Sequence, residues 1–283
     1  MGDGDMSRIP FWKMSGAGND FILMDYREVP WRQWDLSQVA KTLCPRRTSV
    51  GADGFILLIP PQDPAHHFAW RFFNADGSEA EMCGNGARCA ARFAHLKGLA
   101  PCEMRFETLS GVLEAWVQGE EVRIRMGDPT EIREAVSVSL DSGKVLSVVF
   151  LNTGVPHAVQ FVEDVEDVDV VGLGRRIRHH EVFQPAGTNA DFVQIVDRST
   201  LKMRTYERGV EDETLACGTG AVACAVAGHR VHGMEAPISV ITRSGRVLKI
   251  HFQEKEGRYQ EVFLAGEARL IYEGLLSPDI LGE

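Results

Sequence analysis

Two cysteines head two copies of one short pattern, Cys83-Gly84-Asn85-Gly86-Ala87 and Cys217-Gly218-Thr219-Gly220-Ala221. The copies lie 217 − 83 = 134 residues apart. The same offset relates Glu79 to Glu213, His95 to His229, and Thr108-Leu109-Ser110-Gly111 to Thr242-Arg243-Ser244-Gly245. Constant register over this length points to a duplicated domain, each half presenting one thiol. Two sulfurs on opposite faces of one carbon can carry a proton from one face to the other, thiolate removing it and thiol returning it. Each motif reads as the point where the chain enters a helix. There the exposed N–H groups favour the thiolate and lower its pKa from about 8.5. The same N–H groups can bind a carboxylate, and the glycines let it approach the backbone closely. Near-attack geometry puts each sulfur about 3–3.5 Å from the α-carbon, so the sulfurs would stand roughly 6–7 Å apart. Donors aimed at the carboxylate stabilise the charge that grows there in the transition state.

Other chemistries fit these residues less well. A cysteine before a glycine is commonly a small buried residue, and a repeat can preserve a turn as readily as a catalyst. A zinc site is disfavoured, because Cys83–Cys89 and Cys217–Cys224 lack the short spacing of zinc ligands. A Cys83–Cys217 disulfide in oxidised protein would hold the sulfurs at about 2.05 Å and exclude a substrate. Cys44, Cys89, Cys102 and Cys224 have no comparable context and read as packing residues. The glycines also resemble part of a dinucleotide-binding loop, but Ile238 stands where an acidic residue is expected about 20 positions on. No Gly-x-x-x-x-Gly-Lys phosphate loop occurs.

The elements that must position the thiols are mostly strands. Strand-like runs are Phe21–Asp25, Phe55–Ile59, Phe68–Asn74, Glu103–Leu109, Val112–Gln118 and Val122–Met126 in the first half. In the second they are Val145–Leu151, Ala158–Val162, Asp191–Val196, Leu201–Glu207, Ile238–Thr242, Val247–Phe252, Tyr259–Leu264 and Leu270–Glu273. Several alternate apolar and polar residues as half-buried antiparallel strands do. Ala87, Ala90, Ala91 and Ala94 have helical spacing, with Arg88 and Arg92 on the opposite side. Ala221–Ala227 is apolar all round, and such a helix must be enclosed. A curved sheet around each helix is the simplest enclosure. Leu36–Leu43 and Gly172–Arg178 read as shorter helices. The turn Gly127-Asp128-Pro129-Thr130 sets the crossover, giving halves 1–127 and 128–266, with residues 267–283 packing back on the first. The expected fold is α+β: two duplicated halves, each a mostly antiparallel curved sheet around a central helix.

With 283 residues, 44% hydrophobic and 25% charged, the chain has the composition of a globular protein able to bury a core in each half. A formal charge of −10 argues against nucleic acid and anionic lipid as partners. Glu163-Asp164-Val165-Glu166-Asp167 reads as a solvated loop or helix end. The acidic start Met1-Gly2-Asp3-Gly4-Asp5 has no apolar region after it, and Met6 stands where a myristoylated Gly2 needs Ser or Thr. No run approaches the roughly 20 apolar residues of a membrane span. A cytoplasmic protein with reduced thiols is the expectation, and the net charge leaves small zwitterions open as ligands.

Lys13-Met14-Ser15-Gly16-Ala17-Gly18-Asn19-Asp20-Phe21, Phe73-Asn74-Ala75-Asp76-Gly77-Ser78 leading to Cys83-Gly84-Asn85-Gly86-Ala87-Arg88-Cys89, and Glu207-Arg208-Gly209-Val210 leading to Ala216-Cys217-Gly218-Thr219-Gly220 resemble the cofactor-independent diaminopimelate epimerases. These stretches follow the family's order along nearly the whole chain. The resemblance implies two pseudo-symmetric domains with the active site in the interdomain cleft, and interconversion of LL- and meso-2,6-diaminopimelate, in lysine and peptidoglycan precursor synthesis, with no cofactor and no metal. It implies Cys217 as proton acceptor and Cys83 as proton donor, with His157 and Glu207 tuning the thiols. Backbone N–H groups around Gly84, Asn85, Gly218 and Thr219 would hold the reacting carboxylate. Asn74 and Glu207 would receive the α-ammonium, and Asn19, Asn189 and Arg208 the distal end, where Arg208 can meet a carboxylate bidentately. A homodimer is an assembly this reading allows. Taken alone, His157 after Pro156 reads as a satisfied turn histidine, and Asn19 and Asn74 as turn residues.

The chain departs from the family at two places. Many members carry Asn where Val155 stands, and some carry Gln where Gly54 stands; both substitutions remove a polar contact to the substrate. The nearest alternative is the same two-thiol chemistry on another amino acid, as in histidine or hydroxyproline racemases. An alternative of another class is a binding module that holds a small anion between two glycine loops, which would need the backbone N–H groups but not paired sulfurs.

Overall fold

The structure, a computed structural model, describes residues 8–140, 143–277 and 280. The acidic start Met1–Asp5 and the Gly2 and Met6 positions lie outside the described residues. The chain divides into two compact units, one of Met1–Ile124 with Glu267–Glu283 and one of Arg125–Gly266.

The first unit runs β1 (Ile9–Gly16), β2 (Asn19–Asp25), α1 (Leu36–Leu43), β3 (Gly54–Ile59), β4 (Phe68–Asn74), α2 (Gly84–Leu96), β5 (Glu103–Thr108), β6 (Gly111–Gln118) and β7 (Glu121–Arg125). β1 and β2 form a hairpin whose two turn residues, Ala17 and Gly18, have φ of 49° and 107°. Positive φ at both positions matches the right-handed twist of the strands. β2 pairs in parallel with β3 and β4 with β5, while β3–β4, β5–β6 and β6–β7 are antiparallel. Each parallel pair is joined by a helix, as a parallel connection requires. Asp35 caps α1, its side chain accepting from Gln38 N at 3.2 Å, which satisfies one orphan donor of the first turn.

The second unit repeats this plan. It runs β8 (Thr130–Ser139), β9 (Val145–Asn152), β10 (Pro156–Phe161), α3 (Val170–His179), β11 (Asn189–Asp197), β12 (Thr200–Glu207), β13 (Asp212–Thr214), α4 (Gly218–His232), β14 (Ile238–Ile241), β15 (Val247–Lys255) and β16 (Arg258–Glu267). β10 pairs in parallel with β11 across α3, and β12 with β14 across α4. Asp169 caps α3 through Gly172 N at 2.9 Å. The last strand, β17 (Arg269–Leu276), runs antiparallel to β1 and belongs to the first unit.

Each central helix is enclosed by the strands of its own unit. α4 packs against β8 to β12, β14 and β15, and every residue from Gly220 to Gly228 is buried. A sheet that reaches one helix from so many strands must curve around it. Full burial of Val222 and Val226 stabilises the unit by about 1.5–3 kcal/mol each. α2 packs against β1, β2, β3 and β6. Here the expectation of a polar side is corrected: Arg88 is completely buried, because this helix too is surrounded and its arginine must find partners inside. Three strands lie outside the sequence pattern. β1 mixes polar and small residues, β13 is only Asp212–Thr214, and β8 begins at Thr130 with largely exposed residues in place of a turn.

Candidate active site

In the second unit the chain enters α4 at Cys217, the N-cap residue. Its sulfur accepts from Gly220 N at 3.4 Å and lies 3.4 Å from Thr219 Oγ1. From Thr219 a continuous polar chain runs inward. Thr219 Oγ1 lies 3.0 Å from His157 Nε2 on β10, and His157 Nδ1 lies 2.7 Å from Asp191 Oδ2 on β11. Asp191 Oδ1 accepts from Thr205 Oγ1 on β12 at 2.7 Å. His157 and Asp191 are entirely buried. Thr153 Oγ1 donates to Thr219 O at 3.0 Å and holds the first turn of α4 from outside the helix. Gly220 is glycine for a spatial reason: a Cβ there would stand 2.8 Å from Asp191 Oδ1.

The other predicted residues of this unit gather beside that chain. Asn189, buried on β11, donates to Pro156 O at 3.1 Å, and its Oδ1 accepts from Arg208 N at 2.7 Å. Its amide therefore ties β10 to the end of β12 and positions the backbone of Arg208. The Arg208 guanidinium donates to Ala186 O at 3.0 Å. Burial raises the Glu207 carboxyl above its usual range, against the Thr214 hydrogen bond and the His157 interaction that lower it.

In the first unit Cys83 is the N-cap of α2 and is half-buried. Asn85 occupies the place that Thr219 has in α4, with different neighbours. Asn85 Nδ2 donates to Asn19 Oδ1 at 2.7 Å, and Arg88 Nη2 donates to Asn85 Oδ1 at 2.5 Å. Asn19 Nδ2 in turn donates to Asp53 Oδ2 at 3.0 Å. Arg46 pairs with Asp53 at 2.8 Å and with Asp20 at 2.6 Å, and Lys13 pairs with Asp20 at 2.7 Å. Lys13 also donates to Gly51 O. Burial works to raise the Asp20 pKa, but hydrogen bonds and charge from Arg46 and Lys13 prevail and hold it at about 2. Asn74 is exposed at the end of β4 and donates to Ser78 Oγ at 3.0 Å.

The repeated glutamates share one task. Glu79 pairs with Arg71, and Glu213 pairs with Arg204 at 2.7 Å. Each ties the segment before a cysteine to a neighbouring strand of its own unit. The repeated histidines do not match: His95 Nδ1 lies 3.4 Å from Ala100 O, whereas His229 Nδ1 lies 2.8 Å from Tyr259 OH.

Two expectations are corrected. The Cys217 pKa lies above the ordinary thiol range, not below it. Burial is the main cause, Glu207 and Asp191 add to it, and the Thr219 and Gly220 hydrogen bonds oppose it more weakly. At 6% exposure, desolvation outweighs the helix terminus. Cys102 is exposed and packs in no core, while Cys44, Cys89 and Cys224 are buried. No cysteine is in a disulfide. Among the described residues no group of three or more His, Cys, Asp or Glu side chains is arranged to hold a metal. No described helix is long and apolar enough to cross a membrane.

Both departures from the family pattern have local settings. A Cβ on Gly54 would meet the Phe72 ring at 2.6 Å and Phe73 O at 2.9 Å, so no side chain fits there without a shift of β4. Val155 is half-buried, and its carbonyl accepts from Thr153 N at 3.1 Å. Asp191, Asp53, Lys13 and Arg88 were not expected at the site. Their signal is a charged residue within or beside an apolar run, as in Ala190-Asp191-Phe192-Val193. A cavity of about 580 Å³ in the first unit, lined by Trp31, Trp34, Arg71 and Phe73 among others, includes none of the predicted site residues.

Comparison with known proteins adds a family. The sequence model described as "Diaminopimelate epimerase" matches residues 11–132 and 149–271. A diaminopimelate epimerase of Aquifex aeolicus (strain VF5) is 48% identical over 281 residues, covering 96% of this chain and 99% of the relative. One from Hydrogenobaculum sp. (strain Y04AAS1) is 42% identical over 279 residues, covering 95% and 98%. Among solved structures, a PhzF-family phenazine biosynthesis protein of Bacillus anthracis aligns with a TM-score of 0.68 at 14% identity, covering 96% of this chain and 99% of that one. A hydroxyproline epimerase of Agrobacterium vitis aligns with a TM-score of 0.66 at 15% identity, covering 97% and 94%. At such identities these two structures share the fold alone.

Proposed function

We propose, from the premise that this chain belongs to the diaminopimelate epimerase family, that it is an isomerase interconverting LL- and meso-2,6-diaminopimelate. The observation that carries the mechanism is the repeated cysteine: each unit places one at the N-cap of its enclosed helix, followed by glycines that bare the first-turn N–H groups. Cys217 accepts the α-proton of the LL isomer and Cys83 donates one to the opposite face. First-turn N–H groups at Gly84, Asn85, Gly218 and Thr219 bind the reacting carboxylate, where charge develops. Glu207 and Asn74 receive the α-ammonium. Arg208, its backbone held by Asn189, meets the distal carboxylate, and Asn19 acts at the distal end and through Asn85. His157 and Glu207 set the protonation of Cys217.

The two thiols carry both proton transfers, so this mechanism uses no cofactor and no metal. We place the enzyme in the cytoplasm, among the steps that supply lysine and peptidoglycan precursors. The hydroxyproline epimerase likeness does not favour another substrate, since it is a likeness of fold. Reaction in D₂O tests the proposal. With two distinct bases, deuterium enters the epimerised product first. Equal early labelling of recovered LL substrate would mean one exchanging base and overturn the mechanism, and no turnover of diaminopimelate would overturn the substrate.

A further inference from the structure

We propose that Thr219, His157 and Asp191 form a proton relay that takes the thiol proton from Cys217 and so prepares this sulfur to act as a base. The inference deepens the reading of Cys217 as proton acceptor and rests on it. With His157 neutral and Cys217 a thiol, the acceptor-only carboxylate at the inner end sets the direction of each hydrogen bond in the chain. Asp191, as a carboxylate, only accepts: Thr205 Oγ1 donates to Oδ1 at 2.7 Å, and His157 Nδ1–H donates to Oδ2 at 2.7 Å. Neutral His157 therefore presents a lone pair at Nε2. The Asn189 amide N, which can only donate, lies 3.5 Å from Nε2, a position compatible with the same tautomer. Thr219 must then donate its hydroxyl proton to Nε2 across 3.0 Å, leaving Oγ1 to accept from the Cys217 thiol at 3.4 Å. The Gly220 N–H stands 3.4 Å from the sulfur, ready to stabilise a thiolate.

The transfer balances. The S–H bond breaks as a new Oγ1–H bond forms, the old Oγ1–H bond breaks, and an Nε2–H bond forms. The products are a Cys217 thiolate and a His157 imidazolium held against the Asp191 carboxylate, with net charge unchanged. A buried sulfur needs such a route, because burial favours its protonated form and leaves little contact with water. The titratable groups that bear on the sulfur are His157 from β10, Asp191 from β11, Glu207 from β12 and Cys224 within α4. Of these only His157 is linked to it through a hydroxyl. Thr219 and His157 pass the proton, and Asp191 is a positioning residue that acts through His157.

Thr219→Val keeps the shape and the backbone N–H of the first turn but removes the hydroxyl; Thr219→Ser restores it. Iodoacetamide alkylation of the intact protein, followed separately at each cysteine across pH, reads the Cys217 thiolate, with Cys83 as internal reference. Thr219→Val should alkylate at Cys217 at least about tenfold more slowly near neutral pH, the effect of one unit of thiol pKa. Its kcat should fall about a hundredfold with KM little changed, the lower range for a positioned proton acceptor. Thr219→Ser should recover both. In Asp191→Asn the amide can donate to Nδ1, moving the imidazole proton to Nε2 and turning the relay around, and ¹⁵N shifts of the His157 ring report that tautomer. Equal alkylation of Cys217 in wild type and Thr219→Val, including none in either, overturns the relay. So does a neutral wild-type His157 ring that carries its proton on Nε2. Wild-type protein that fails to epimerise diaminopimelate would defeat the functional reading while the alkylation and tautomer results still decide the relay.

Discussion

The loops that lead into α2 and α4 present the same backbone device with different wiring behind it. In both, a cysteine caps the helix and glycines flank the second residue after it, which is Asn85 in one and Thr219 in the other. Asn85 joins a network of amides and fixed charges: Asn19, Asp53 and the buried Arg88. Thr219 joins a hydroxyl, an imidazole and a carboxylate. At neutral pH an amide holds its protons and a guanidinium stays charged, so the first network orients groups without passing a proton. Hydroxyls and imidazoles can pass one on. Arg88 and Val222 make the same point from inside the helices, since 222 − 88 = 134 and both are buried. The two copies share what positions each sulfur and differ in the side chains behind it.

The largest expected effect tests what the two loops share. Cys83→Ala and Cys217→Ala should each lower epimerisation about a thousandfold or more, as loss of a positioned acid or base does, with the circular dichroism spectrum unchanged. Near-wild-type turnover in one of them would make the sulfurs unequal partners and break the pairing. The next effect tests the wiring. Asn85→Ala removes the acceptor of the buried Arg88 Nη2 and the donor to Asn19 Oδ1, which should cost about 1–3 kcal/mol in chemical denaturation. Thr219→Val is expected to cost less than about 1 kcal/mol, and equal costs would erase the proposed contrast between a structural and a conducting network.

A smaller effect separates the units by acid stability. Asp20 titrates at about 2 in the folded protein, below the ordinary 3.8. A depressed carboxyl contributes stability that is fully present above its unfolded pKa and is lost as pH falls through the folded one. Wild type should therefore lose up to about 2 kcal/mol between these limits, less whatever solvent screens at this partly exposed pair. Asp20→Asn should show a flatter acid limb in denaturation curves recorded between those pH values. A limb of unchanged slope would remove Asp20 from the account of the first unit.

Much of the architecture was legible along the chain. Leu36–Leu43 was readable as α1 from its apolar spacing, and the apolar strands β3, β4, β9 and β12 from their composition. The enclosure of α4 followed from a helix with no polar face. β8 was hidden because its exposed residues give no clear alternation, and its first residue sits in a Gly-Asp-Pro-Thr stretch that reads as a turn. Arg88 was placed only on the side opposite the alanines, because local spacing cannot show that strands surround a helix completely. Asp191 was hidden in a strand-forming run. An acid there is readable as an anomaly, but its partner His157 is 34 residues away in sequence.

The sequence by itself determined the duplication, the paired thiols and the proton-transfer chemistry they suit, since these depend on residue types in fixed register. Tertiary structure decided the protonation of Cys217 and the wiring behind each thiol. A pKa depends on desolvation and on charges brought close through space, and neither is a property of neighbours in sequence. At Cys217 burial outweighed the helix terminus, and only the folded unit brings Asp191, His157 and Thr219 into line behind the sulfur.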